Sequence, residues 1–291
     1  MAGTHTALAA KTSAGTANMV DPTYRQIRDL VYKISGIFQL EEKLYLLVDA
    51  CARRMKHLEI RTTGQYWEAL TAHMGRENEM RQLLNEITIG ETCLFRSQPQ
   101  QDALRKVILP EIVSEKEKQI VKRLRIWSAG CSTGEEPYTL AMNLMEESVS
   151  LLKGWTVEIL ATDLNDRSVE AAKAGIYGDY ALRNTSDYYR RKYFTPAGEK
   201  KLQVRPEVKQ IISFSRLNLQ DKSIRVRLVQ RSIAEQLERR ASELDRDLCL
   251  PFCQALSGTQ IKRNAGPAPV VDVELQRDEG LGARFRSDSR L

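Results

Sequence analysis

No apolar run in the sequence approaches the ~20 residues that a membrane-spanning helix requires, and the N-terminus carries no apolar leader. Neither membrane insertion nor secretion is expected, and the chain reads as cytoplasmic. Histidine is scarce: His5, His57 and His73 stand apart without partners at ligand spacing, which argues against a metal centre and against a His-based nucleophile pair. The five cysteines, Cys51, Cys93, Cys131, Cys249 and Cys253, are odd in number and dispersed, as incidental thiols of a reducing compartment are. Cys249 and Cys253 lie close together but lack the further ligands that zinc would need. Blocks of one charge sign are missing as well. The 44 basic and 38 acidic residues interleave to a net charge of +6, a mildly basic mixture unlike a nucleic-acid-binding arm. Finally, no Gly-Lys-Ser/Thr string is present, so a phosphate-gripping loop is not expected.

What is present centres on residues 124–136, Leu-Arg-Ile-Trp-Ser-Ala-Gly-Cys-Ser-Thr-Gly-Glu-Glu. A short apolar run ends in a glycine-punctuated loop, then two carboxylates, then a helical pattern from Pro137 to about residue 152. A first parallel strand delivers a cofactor to a helix N-terminus in this way in doubly wound α/β domains. Glu135 and Glu136 would repel a pyrophosphate, so the loop suits a ligand bearing hydroxyls, an amine or a positive charge; the alternative is a tight turn with no ligand. Trp155–Ala161 predicts a second strand ending in Thr162-Asp163. An acid at that place commonly accepts ribose hydroxyls; alternatively it belongs to the helix cap of the Asn165-Asp166 run.

Ahead of this core, Asp21-Pro22 reads as a helix cap followed by proline at the first helical position, with Ile27, Leu30, Val31 and Ile34 at helical spacing up to Gly36. Further helices are predicted from about Glu41, through Tyr66, Leu70 and Met74, and through Met80, Leu83, Leu84 and Ile87. Residues 21–90 therefore form a helical domain after an unstructured lead-in at 1–20, and residues 91–221 the α/β domain, with a helix over 102–118. The Tyr- and Arg-rich stretch 176–206 reads as a connection, and Ile211–Phe214 as a third strand. Beyond Asp221 arginine displaces lysine, and after an amphipathic segment at 232–248 no strand stands out. Residues 222–291 are an atypical tail.

These motifs, in this order, resemble the CheR-type protein-glutamate O-methyltransferases of chemotaxis. The resemblance runs from about residue 22 to 221 and is carried by Ile87–Arg96, by Ile126–Tyr138 with its specific Ser-Thr-Gly-Glu-Glu-Pro-Tyr string, by Ile159–Asp163, Ala174–Tyr177 and Tyr193-Phe194, and by Phe214 with Leu217-Asn218-Leu219. It implies an all-helical N-terminal domain on a Rossmann-like domain that binds S-adenosylmethionine, incomplete here at its C-terminal end. It also implies that Gly90 (often Asn in the family), Thr92 and Arg96 lie near the methionyl part of the cofactor, that Glu135 and Asp163 bind its amino or ribose groups, and that Asn218 and Leu219 flank the adenine. Arg96, the one residue assigned to catalysis, offers a planar fork for a carboxylate, that of the cofactor or that of the substrate. The implied substrates are glutamates on the acidic cytoplasmic helices of chemotaxis receptors, and the implied enzyme is a monomer.

The family pattern continues past the third strand into an Arg-Asn-Val-x-x-Tyr strand, further strands and a three-stranded antiparallel subdomain, none of it visible after Asp221. The break suggests a shifted or truncated reading frame; if the tail is native, a compromised sheet and weak or absent activity are expected. Three functions thus compete: the methyltransferase, a remnant that binds cofactor or receptor without turnover, and an arginine-tailed nucleic-acid binder. The acids Glu235, Glu238, Glu243, Asp245 and Asp247, interleaved with the arginines, speak against the third.

Overall fold

The computed structural model describes residues 21–88, 90–118 and 120–221, and the backbone of two short antiparallel strands, Leu275–Gln276 and Arg284–Phe285. The lead-in at 1–20, the segment at 232–248 and the missing strands expected after Asp221 otherwise lie outside the described residues. The chain divides into two compact units between Ile87 and Thr88.

The first unit is all helical. Asp21 caps α1 (Pro22–Ser35) by accepting the Thr23 N–H at 2.9 Å, and Gly36, left-handed at φ 76°, closes it. A 3₁₀ turn at Glu41–Lys43 leads into α2 (Leu44–His57), followed by α3 (Thr63–Thr71) and α4 (Arg76–Ile87). Ile27, Val31, Leu44, Leu47, Leu83 and Leu84 form the core, as their helical spacing predicts. Met74 does not join it. The chain leaves helical geometry at Ala72 (ψ 152°), so Met74 falls past the end of α3 and is 91% exposed. Between α2 and α4, Arg54 and Glu79 form a buried bidentate pair (3.0 and 2.7 Å), and the Tyr66 hydroxyl donates to the same carboxylate at 2.9 Å.

The second unit opens with α5 (Gln98–Ala103), a π-helical turn at Leu104–Ile108, and α6 (Leu109–Lys116), where the sequence predicts one uninterrupted helix over 102–118. Pro110 lacks an N–H and sits at the start of α6. The turn before it widens, and the Leu109 N–H reaches back to the Leu104 carbonyl. β1 (Arg123–Ala129), α7 (Glu135–Glu147), β2 (Thr156–Asp163) and α8 (Asp166–Ala174) follow. α7 begins at Glu135, earlier than the expected Pro137, so both carboxylates lie in its first turn.

The stretch 176–206 is not a bare connection. It folds as β3 (Ile176–Gly178), α9 (Asp179–Leu182), α10 (Asp187–Tyr193), β4 (Phe194–Pro196) and β5 (Lys201–Val204), the strands forming an antiparallel sheet of order β3–β5–β4. A three-stranded antiparallel sheet, expected only beyond the third parallel strand, therefore precedes it. Its strands have three or four residues, too few for alternation to register in the sequence. α11 (Pro206–Lys209) ties this sheet to α8: Lys209 Nζ and Gln203 Nε2 donate to the Ala174 carbonyl at 2.6 and 3.2 Å. β6 (Ile212–Arg216) completes a parallel sheet of order β1–β2–β6, with Ile126 opposite Ile159 and Ile159 opposite Ile212. Among the described residues β1 is paired on one side only. No described helix is long and apolar enough to cross a membrane.

Candidate cofactor site

The C-terminal ends of β1 and β2 shape the glycine loop. The Gly130 and Cys131 N–H groups both donate to the Thr162 carbonyl, at 2.8 and 2.9 Å, folding the loop across the end of β2. Asp163 then takes the Ser132 N–H on Oδ2 and the Asn165 N–H on Oδ1, each at 2.8 Å. Gly130, Ser132 and Gly134 are left-handed at φ 71°, 49° and 95°. A Cβ on Gly134 would sit 2.9 Å from the Ala172 Cβ and 3.0 Å from the Tyr177 hydroxyl, so only glycine fits where α7 begins. Tyr177 closes this packing by donating to the Thr133 carbonyl at 2.7 Å.

Glu135 is 4% exposed, and its two carboxylate oxygens lie 2.9 and 2.7 Å from the Thr133 hydroxyl. Among the described residues no cation pairs with it, and burial raises its pKa, partly offset by that hydroxyl. Glu136 points elsewhere. Its carboxylate accepts the Ser128 hydroxyl of β1 at 2.7 Å, and burial raises its pKa too.

The segment expected near the methionyl group joins the same end of the sheet. Asn165 Nδ2 donates to the Thr88 hydroxyl at 2.8 Å, while Gly90 abuts Ser132 so closely that a Cβ would collide with that side chain. Thr92 is half-buried farther along. Arg96 is exposed, and its Nη1 donates to the Glu91 carbonyl at 2.9 Å. Its neighbour Phe95, left-handed at φ 55°, donates its N–H to the Thr139 hydroxyl of α7 at 3.0 Å. On the far side, the Leu217 N–H donates to the Asp163 carbonyl at 2.9 Å. This places Asn218 and Leu219 just past the end of β6; Asn218 Oδ1 accepts the Gln220 N–H at 3.1 Å, and Leu219 is exposed.

Direct contacts thus bring Gly90 and Asp163 to the loop, Asn218 follows the Leu217 that bonds to Asp163, and Phe95–Thr139 brings the Arg96 segment to the turn that carries Glu135. Thr133 and Tyr177 stand in the motifs but carry no role in the sequence reading, and Thr139 was passed over. Thr139 alone left a trace, as a polar residue flanked by Tyr138, Leu140, Ala141 and Met142. A cavity of about 470 Å³ lined by Thr195, Gln203, Val204, Pro206, Lys209 and Gln210 lies on the antiparallel sheet, and none of the seven expected residues lines it.

The set of carboxylate acceptors fits a cationic nucleoside. A buried carboxylate without a counter-ion gains most from a ligand that brings positive charge. Among the described residues each Asp163 oxygen accepts one N–H and keeps a second lone pair for hydroxyl donors. A parallel α/β sheet with such a loop is that of a nucleoside-cofactor-binding protein, and the comparisons identify which. Residues 22–88 match the family model described as CheR methyltransferase, all-alpha domain, and residues 90–229 the one described as CheR methyltransferase, SAM binding domain. The chain belongs to the CheR methyltransferase family, the S-adenosylmethionine-dependent enzymes that methylate chemoreceptor glutamates. It is similar to chemotaxis protein methyltransferase 1 of Pseudomonas aeruginosa, with 34% identity over 202 residues, covering 68% of this chain and 72% of that protein. The chemotaxis protein methyltransferase of Borreliella burgdorferi is 31% identical over 204 residues, 70% of this chain and 72% of the relative. That of Escherichia coli is 28% identical, at 68% and 66% coverage.

Proposed function

We propose that this chain methylates receptor glutamates through seven residues: Gly90, Thr92, Arg96, Glu135, Asp163, Asn218 and Leu219. The observation that carries the reading is the buried carboxylate of Glu135 beside the glycine loop, which pairs with no cation among the described residues. When bound, S-adenosylmethionine would supply a sulfonium methyl group for transfer to a substrate carboxylate oxygen, with the neutral thioether as leaving group. Glu135 holds the ammonium, and Asp163 holds the ribose hydroxyls. Gly90, lacking a side chain, lets the backbone approach the ligand, with Thr92 beside it. Asn218 and Leu219 border the base. Arg96 presents its fork to a carboxylate and, being exposed, is open to the substrate side as well. A glutamate with a pKa of about 4.3 is already ionised at neutral pH, so no residue need act as a base. The chain's contribution is positioning and desolvation of two charged reactants.

We assign residues 21–90 as the helical domain and 91–221 as the methyltransferase domain. The acidic cytoplasmic helices of the receptors are the docking partner, and the enzyme works in the cytoplasm as a monomer. The free thiols of Cys51, Cys93 and Cys131 suit such a reducing compartment. Titration calorimetry with S-adenosylhomocysteine, together with transfer of labelled methyl groups to receptor-containing membranes, tests the reading. Binding and base-labile labelling are expected, both weakened in Glu135→Gln. Wild-type protein that fails to bind would overturn it, and binding without turnover would leave a cofactor-binding protein only.

A further inference from the structure

Thr139 is 7% exposed on α7, one turn beyond Glu135. Its hydroxyl donates to the Glu135 carbonyl at 2.7 Å and accepts the Phe95 N–H at 3.0 Å. The first bond fixes where the hydroxyl proton points and leaves the oxygen lone pairs facing the Phe95 amide. Phe95 is held left-handed, which a bulky residue rarely adopts. Its ring is buried against Tyr189 at 4.5 Å between centroids, and the Leu94 N–H before it donates to the Ala181 carbonyl at 2.9 Å. The unusual backbone at Phe95 sets the direction in which Arg96 leaves the loop, and the Thr139 hydroxyl is the side-chain partner of that amide.

We propose that Thr139 is a positioning residue for cofactor binding: its one hydroxyl locks the turn bearing Glu135 and the segment bearing Arg96 into a single unit. The proposal rests on Glu135 and Arg96 being cofactor ligands. Without the hydroxyl, the Phe95 N–H is buried and unpaired, the left-handed turn loses its restraint, and Arg96 no longer points to one place.

Thr139→Val keeps the shape and removes the acceptor, whereas Thr139→Ser keeps the acceptor. Calorimetry with S-adenosylhomocysteine should find Thr139→Val weaker by roughly 10-fold, the loss of one buried hydrogen bond, and Thr139→Ser near wild type. In methyl transfer, Thr139→Val should raise KM for S-adenosylmethionine more than it lowers kcat. Thr139→Cys, a weak acceptor, should show a smaller loss of affinity and serves if the valine variant does not fold. Wild-type affinity in Thr139→Val or Thr139→Cys, with only a lowered melting temperature, would overturn the proposal. Arg96→Ala in the same titration separates the two ideas. If it binds like wild type, the ligand reading of Arg96 fails and takes this proposal with it; if it binds weakly while Thr139→Val does not, only the role of Thr139 fails.

Discussion

Glu135 is an acid folded into a place that disfavours its charge, and this fixes the sign of its pH dependence. Its folded pKa lies above the ordinary value of 4.5. The unliganded fold is therefore favoured below 4.5 relative to higher pH, and that advantage is lost as pH rises through the raised value. Affinity for a cationic cofactor should move the other way, rising with pH over the same range as the carboxylate ionises, with protons released on binding. Calorimetry in buffers of different ionisation enthalpy checks this; an affinity flat across the range would take Glu135 out of the site. Glu135→Gln should weaken binding by about 1–3 kcal/mol, the scale of a lost charge-assisted hydrogen bond, while leaving the unliganded protein as stable or more so. Gly134 makes the complementary test. Gly134→Ala must hold φ 95° and meet Ala172, so urea denaturation should show a loss of about 1–3 kcal/mol. The residues legible in the sequence were those with an odd chemistry for their place, such as glycines before a helix and acids at strand ends. Thr139 escaped because a threonine in a helix reads as surface, and only the fold brings Phe95 to it.

At the scale of elements, legibility followed length and punctuation. The cap of α1 stands in Asp21-Pro22 and its end in Gly36, and β1, β2 and β6 are apolar runs long enough to see. The π-turn at Leu104–Ile108 is a response to Pro110 that periodicity alone does not reveal. The antiparallel sheet was missed because β3, β4 and β5 are too short to alternate visibly, and tyrosine and arginine around them suggested a solvated connection. Tyr177, Tyr193 and Phe194 are in fact buried. In the first unit, α2 and α4 are joined by a buried pair whose halves are unequal partners in any mutation. Arg54→Met strands the Glu79 carboxylate and should destabilise by about 3–5 kcal/mol, whereas Arg54→Met with Glu79→Leu should recover most of the loss. Denaturant titration of the two variants decides it.

At the scale of the molecule, a ligand held by residues of the second unit alone should stabilise that unit alone. S-adenosylhomocysteine at 100 times its Kd should add about 2.7 kcal/mol to the second unit's unfolding. Trp67 lies in the first unit and Trp127 and Trp155 in the second, so fluorescence of a Trp67→Phe variant follows the second without interference. No ligand-induced shift in the Trp127 and Trp155 signal of this variant would contradict the placement of the site. The loop at 130–134 has a further consequence for anyone moving it elsewhere. Its curvature is stored outside its own text, in the Thr162 carbonyl and the Asp163 carboxylate at the end of β2. A graft of residues 124–138 into another sheet would carry the signature but leave the cradle behind, unless the recipient's second strand ended in the same two acceptors.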